Sequence, residues 1–273
     1  MLPRRHKGFT LVELVIVIAI TGIVAVVGAI IIQGSVGAYV DQERRASLVA
    51  DADRALRRMS REIHHALPNS IRVNHANCGG DPCVEFLATV AGGRYREGPG
   101  PGVATPEHRL EFNRDDDSFN ATGPVGLDDG NGLPLHVSVY NTSQAGNDAW
   151  QGQSMNPTPG VDLDSNAAPD GEVRVRMSPY QFPLESPRQR FYLVEGAVAF
   201  TCDNGVLNRS DYAYGGSYTP GAANTLADRV EECTFSYDAG SSTRAGLLTL
   251  TLVLEEEGER VRLQHQVQVG NAP

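Results

Sequence analysis

A single carboxylate, Glu13, interrupts an apolar run from Phe9 to Ile32 that holds no other charge. Deep in a bilayer helix such a group costs about 2.5–3.5 kcal/mol on insertion scales, so its presence calls for a partner that neutralises it. Other residues carry chemistry of their own. Cys78, Cys83, Cys202 and Cys233 can oxidise in pairs, with three connectivities open to them. His64 and His65 are adjacent on a helix, point about 100° apart and do not converge on one metal. Asp162-x-Asp164-x-Asn166 begins like a calcium loop. Ala167, however, stands where that loop turns on glycine, and Val173 where it needs a bidentate glutamate, which excludes a standard EF-hand. Looser calcium candidates are Asp128, Asp129 and Asn131, or Asp115 to Asp117; the neighbouring glycines favour a turn-forming role for these side chains.

Several function classes fall away on composition. The formal charge of −10 leaves little with which to replace phosphate counterions, so the chain is not read as a nucleic-acid binder. Lys7 is the only lysine, and a chain that loses its first residues retains none for a phosphate-cradling loop or a Schiff base. No Gly-x-Ser-x-Gly elbow occurs, and Gly98-Pro-Gly100-Pro-Gly102 is a rigid loop rather than a dinucleotide turn. No constellation reads as an active site, so neither an enzyme nor a cofactor is expected.

The elements that must position Glu13 begin with the apolar run itself. Its 24 residues span about 36 Å as a helix, enough to cross a hydrocarbon core of about 30 Å. Arg4, Arg5 and Lys7 hold the preceding end in the cytoplasm and send the rest outward. The run is too long for an ordinary signal peptide and lacks a convincing small-residue cleavage site after it. Farther on, Val49, Ala52, Leu56, Met59, Ile63 and Leu67 recur every three or four residues, and no proline falls between Pro3 and Pro68. One helix from about Phe9 to Leu67 is predicted, membrane-spanning over 9–32 and amphipathic over 33–67. Its apolar stripe is expected to pack on a sheet of the same chain, with Asp41/Arg45, Asp53/Arg57 and Arg58/Glu62 paired on its polar faces.

After Pro68 the pattern changes to short strands: Ile71–Val73, Val84–Leu87, Leu110–Phe112, Leu135–Tyr140, Val173–Met177, Phe191–Val194 and Val198–Cys202. Asp203-Asn204-Gly205 is a hairpin turn leading to Val206–Leu207. Alternation at Leu248, Leu250, Leu252 and Leu254, a turn over Glu255 to Gly258, and alternation again at Val261, Leu263, Val267 and Val269 give a half-buried antiparallel pair. Glycine- and proline-rich stretches at 91–106, 120–134 and 143–171 read as long loops. The expected class is α+β, a helix spine against an antiparallel sheet over 68–273. All four cysteines fall on the outward, oxidising side, where Cys78–Cys83 and Cys202–Cys233 is the favoured pairing; the spacings do not suit zinc.

The string Lys7-Gly8-Phe9-Thr10-Leu11-Val12-Glu13-Leu14 resembles the processing site of type IV pilins and type II secretion pseudopilins. The resemblance implies that 1–8 is a leader removed by prepilin peptidase between Gly8 and Phe9. It also implies that Phe9 is then N-methylated, and that Glu13 pairs with the new N-terminal ammonium of a neighbouring subunit during assembly. Such pairing would lower the cost of both charges in lipid. Loss of Arg4, Arg5 and Lys7 takes the side-chain charge from −10 to −13.

Further stretches resemble minor pilins of the mannose-sensitive haemagglutinin (MSHA) type: Met59 to Ile63 running into Ala66 to Arg72, Phe191 to Val194 with Cys202-Asp203, Gly246 to Leu250, and Leu263 to Val267. J-type pseudopilins of type II secretion share a similar Arg-Glu-Ile run. What these resemblances imply is a Gram-negative inner-membrane protein with a periplasmic C-terminal part, later carried to a pilus, at its tip. Its partners would be other minor and major pilins and the inner-membrane assembly platform. A tip adhesin using loops within 91–171 is the alternative binding role.

Overall fold

In the computed structural model, which describes residues 9–74, 78–98, 108–126, 134–169, 171–216, 224–240 and 245–270, one helix, α1, runs from Leu11 to Ile63. Fifty-three residues at standard rise make it about 80 Å long. It ends in a tightened turn, with the His65 and Ala66 N–H groups reaching Glu62 and Ile63, before Pro68 forbids continuation. Leu67 therefore lies beyond the helix but is still fully buried. The buried stripe is Leu48, Ala52, Leu56, Met59 and Ile63, with Ala55 beside it. Val49, expected in that stripe, faces outward, because a start at Leu48 keeps the four-residue steps to Ala52 and Leu56 in line.

The strands are β1 (Arg72–Val73), β2 (Cys83–Tyr95), β3 (Asp116–Thr122), β4 (His136–Val139), β5 (Val161–Asp164), β6 (Glu172–Tyr180), β7 (Arg190–Asp203), β8 (Val206–Tyr212), β9 (Asn224–Ala227), β10 (Val230–Asp238), β11 (Gly246–Glu256) and β12 (Glu259–Val269). Among the described residues they form a nine-stranded antiparallel sheet, ordered β5-β6-β3-β2-β7-β8-β9, with β1 also on β2 and β4 also on β7. A separate three-stranded sheet runs β10-β11-β12. Two predicted hairpins form as two-residue turns with both central residues at positive φ: Asn204-Gly205 between β7 and β8, and Glu257-Gly258 between β11 and β12.

Three apolar cores result. The first joins the α1 stripe to Val84 and Phe86 of β2, Val198 and Phe200 of β7, alternate leucines of β11, and Val261, Val267 and Val269 of β12. The second lies away from the helix and holds Phe119, Val137, Val175, Phe182, Phe191 and Leu193, with the Phe119 and Phe191 rings edge-on at 5.0 Å. The third sits around Leu67, Leu87, Ala149, Met155, Val194 and Ala197.

The structure corrects several expectations. Leu110–Phe112 is not a strand: the Asp116 carboxylate accepts the Glu111 N–H (2.8 Å), the chain bends there, and pairing starts at Asp116. Phe191–Val194 and Val198–Cys202 are one strand, since Glu195 and Gly196 form a bulge against β2 rather than a turn. The stretches read as loops are partly structured. Residues 91–95 extend β2, 120–122 complete β3, and 143–171 contains a 3₁₀ turn at Ala149–Gln151 as well as β5. Strands β9 and β10, the second of which carries Cys233, are not among those expected from the sequence. On the helix, Arg44 rather than Arg45 takes Asp41, at 3.2 Å, whereas Arg57–Asp53 (2.6 Å) and Arg58–Glu62 (3.1 Å) pair as expected.

Candidate functional site

The first turn of α1 is built around Thr10, whose extended backbone makes it the N-cap and whose hydroxyl accepts the Glu13 N–H at 3.3 Å. Thr10-x-x-Glu13 has the spacing of a capping box, a signal legible in the sequence. An acidic side chain in the first turn also faces the positive end of the helix dipole. The Glu13 carboxylate is exposed, and among the described residues no side chain pairs with it.

Around it, Phe9, Leu11, Val12, Leu14 and Val15 are all more than half exposed. From Leu11 to Ala29 the helix is long and apolar enough to cross a membrane, and none of that window is buried within the chain. A Cβ added at Gly22, Gly28 or Gly37 would meet nothing within 4 Å. Among the described residues the rod thus presents an apolar surface, small-residue notches and one carboxylate, all without an intramolecular partner. Gly8 lies outside the described residues, so the expected cleavage position has geometry only on its Phe9 side.

The C-terminal half of α1 is fixed to the sheets by three arginines that sequence reading missed. Arg229 reaches Asp51 (2.6 Å) on the helix and Glu256 (2.8 Å) on β11. Arg209 of β8 reaches Glu62 (2.6 Å), and Arg44 reaches Glu257 in the β11–β12 turn. Against the lowering effect of burial, Glu62 and Asp211 hold the Arg209 guanidinium above its ordinary range, and Asp228, with Glu256, does the same for Arg229. Sequence separations of 147 to 213 residues leave no local signal for them.

The cysteines meet as Cys78–Cys83, with sulfurs 1.97 Å apart, and Cys202–Cys233, at 1.93 Å. The first closes a short loop before β2. The second ties β7 of the large sheet to β10 of the small one.

Asp128, Asp129 and Asn131 lie outside the described residues. Asp116 spends its carboxylate on the Glu111 and Ser118 N–H groups, and burial raises its pKa. Asp162 and Asp164 each face Arg176 at 3.3 Å, and Asp164 caps the turn at Asn166 and Ala167. Among the described residues no three His, Cys, Asp or Glu side chains converge as a metal site.

No curated protein and no solved structure matches the chain. Its N-terminal segment, residues 3–29, matches the family model described as the prokaryotic N-terminal methylation motif, the type IV pilin-like signature that contains Gly8, Phe9 and Glu13.

Proposed function

We propose that this chain is a minor pilin or pseudopilin, inserted into a filament through α1 after removal of residues 1–8 and methylation of Phe9. One observation carries the reading: an apolar rod, unburied over Leu11–Ala29, bears a carboxylate that has no side-chain partner among the described residues, four residues after Phe9 and within a matched methylation motif. Such a surface is stable in lipid or in a bundle of like helices and unfavourable in water. In the bundle, Glu13 of one subunit neutralises the terminal ammonium of another. Residues 9–32 would then be the membrane and filament-core segment, 33–67 its amphipathic continuation with the turn that follows, and 68–273 the periplasmic part.

Within this class we favour a role in starting or tipping an MSHA-type pilus, as an MshO-like subunit. The support is the run of resembling stretches along the chain; the J-type pseudopilin of a secretion system is the competing reading. Neighbouring genes for an extension ATPase and pilus subunits favour the first, and a secretin-linked exoprotein cluster favours the second. The second apolar core, which lies away from α1, gives the adhesin reading a physical basis, because a lobe off the helix can vary without disturbing assembly. The deciding experiment is mass spectrometry of the chain recovered from envelopes, where an N-terminal methylated Phe9 is expected. An intact N-terminus in cells that process their other pilins overturns the proposal.

A further inference from the structure

The outer edge of β2 is covered in pieces. β1 pairs with Val84 and Glu85. Ala66 then bridges Ala88, while the Thr89 N–H and hydroxyl both donate to the His65 carbonyl, at 2.8 and 2.7 Å. β3 takes over at Arg94 and Tyr95. Between these pieces, among the described residues, no strand pairs with Val90 to Gly93 on that side, although β7 pairs along the other. The Tyr95 N–H points inward to Gln189 (2.8 Å), and backbone groups alternate in direction along a strand, so Gly92 turns its N–H and C=O outward.

A groove of about 540 Å³ lies over this gap, lined by His65, Thr89, Arg94, Thr122, Arg190 and Tyr192 and floored by Val90 to Gly93. Among the described residues that line it, Arg94 and His65 are able to carry positive charge and none is a carboxylate, in a chain of formal charge −10. The floor is bare backbone because β7 comes close: a Cβ on Gly92 would sit 2.9 Å from the Phe191 carbonyl, and one on Gly93 2.9 Å from the Phe191 ring. Val90, at the bulge, is 39% exposed.

We infer that this slot accepts an extended, acidic segment of a partner protein as an added strand. Its backbone pairs with Gly92, its carboxylates face Arg94 and His65, and an apolar side chain covers Val90. A free strand edge is a template that another backbone matches group for group, and a sugar does not. The cationic rim selects the acidic sequence by complementarity. The inference is independent of how the N-terminus is processed.

The test uses the full chain in detergent, titrated by fluorescence anisotropy with an end-blocked five-residue peptide alternating valine with aspartate and glutamate. Saturable binding is expected, with amide hydrogen exchange slowed at Val90 to Gly93. N-methylation of alternate peptide nitrogens, replacement of its acids by lysine, and Arg94→Gln in the protein should each weaken binding about tenfold, as loss of a backbone or charge-assisted hydrogen bond does. Arg94 is exposed, so that variant is expected to fold. Three results overturn the inference: equal binding of the N-methylated peptide, equal competition by an oligogalacturonate (which would make this a general anion site), or no saturable peptide binding.

Discussion

Under the proposed function, Glu13 is where residue chemistry and assembly meet. Replacing it with alanine removes an expensive charge from the rod, so membrane insertion and leader removal are expected to persist while the attraction between subunits is lost. Mass spectrometry of the N-terminus should therefore be unchanged, and the amount of the chain in sheared filaments should fall several-fold. Unaltered incorporation would remove the mechanistic basis of the proposed function. A second residue-scale prediction concerns His136, which is buried in β4 with Nδ1 2.8 Å from the Asn156 carbonyl. A carbonyl only accepts, so Nδ1 carries the proton. Burial pushes the imidazole pKa down from its ordinary value near 6.5, against the raising effect of that carbonyl. The unfolded chain then binds more protons than the folded one as pH falls through that value. Stability attributable to this site should decline on acidification below about pH 6.5 and level off beneath the folded pKa. Denaturant melts across this range should show a shallower pH dependence for His136→Gln.

At the scale of elements, the N-terminal apolar half and the C-terminal half of α1 follow different patterns. The first is apolar around its whole circumference and the second only along one stripe. Met59 is fully buried at the centre of that stripe, and Met59→Ala is expected to cost about 2–5 kcal/mol, measured by denaturant unfolding of the chain in detergent. Arg229 links α1 to β11 but is partly solvent-exposed. Arg229→Ala should accordingly cost only about 1 kcal/mol or less, with a loss that shrinks in high salt. The same measurement giving the reverse order would mean that ion pairs rather than packing hold the helix to the sheets.

For the whole molecule, the two disulfides act over different lengths. Cys202–Cys233 spans 31 residues and staples the two sheets, whereas Cys78–Cys83 spans 5. Loop-closure entropy gives about 3–4 kcal/mol for the longer bridge and about 2 kcal/mol for the shorter. Changing Cys202 and Cys233 together to serine should therefore lower the unfolding midpoint more than the corresponding change at Cys78 and Cys83. Non-reducing peptide mapping checks the pairing itself.

The amino-acid sequence by itself determined the features that rest on local periodicity or on a short motif. These were the apolar rod with its carboxylate, the amphipathic continuation to within a few residues, the two glycine hairpins and the β11–β12 alternation. Each depends on residues a turn or a pleat apart, so neighbours in the chain carry the information. What only the tertiary structure decided is set by groups far apart in the chain. The Glu195–Gly196 bulge reads locally as a break, and becomes a continuous strand only because β2 lies beside it. The arginine clasps join residues up to 213 positions apart. Among the described residues, the gap on the β2 edge exists because β1, the helix exit and β3 stop short of one another, a spacing fixed by packing of three separate segments and written in none of them alone.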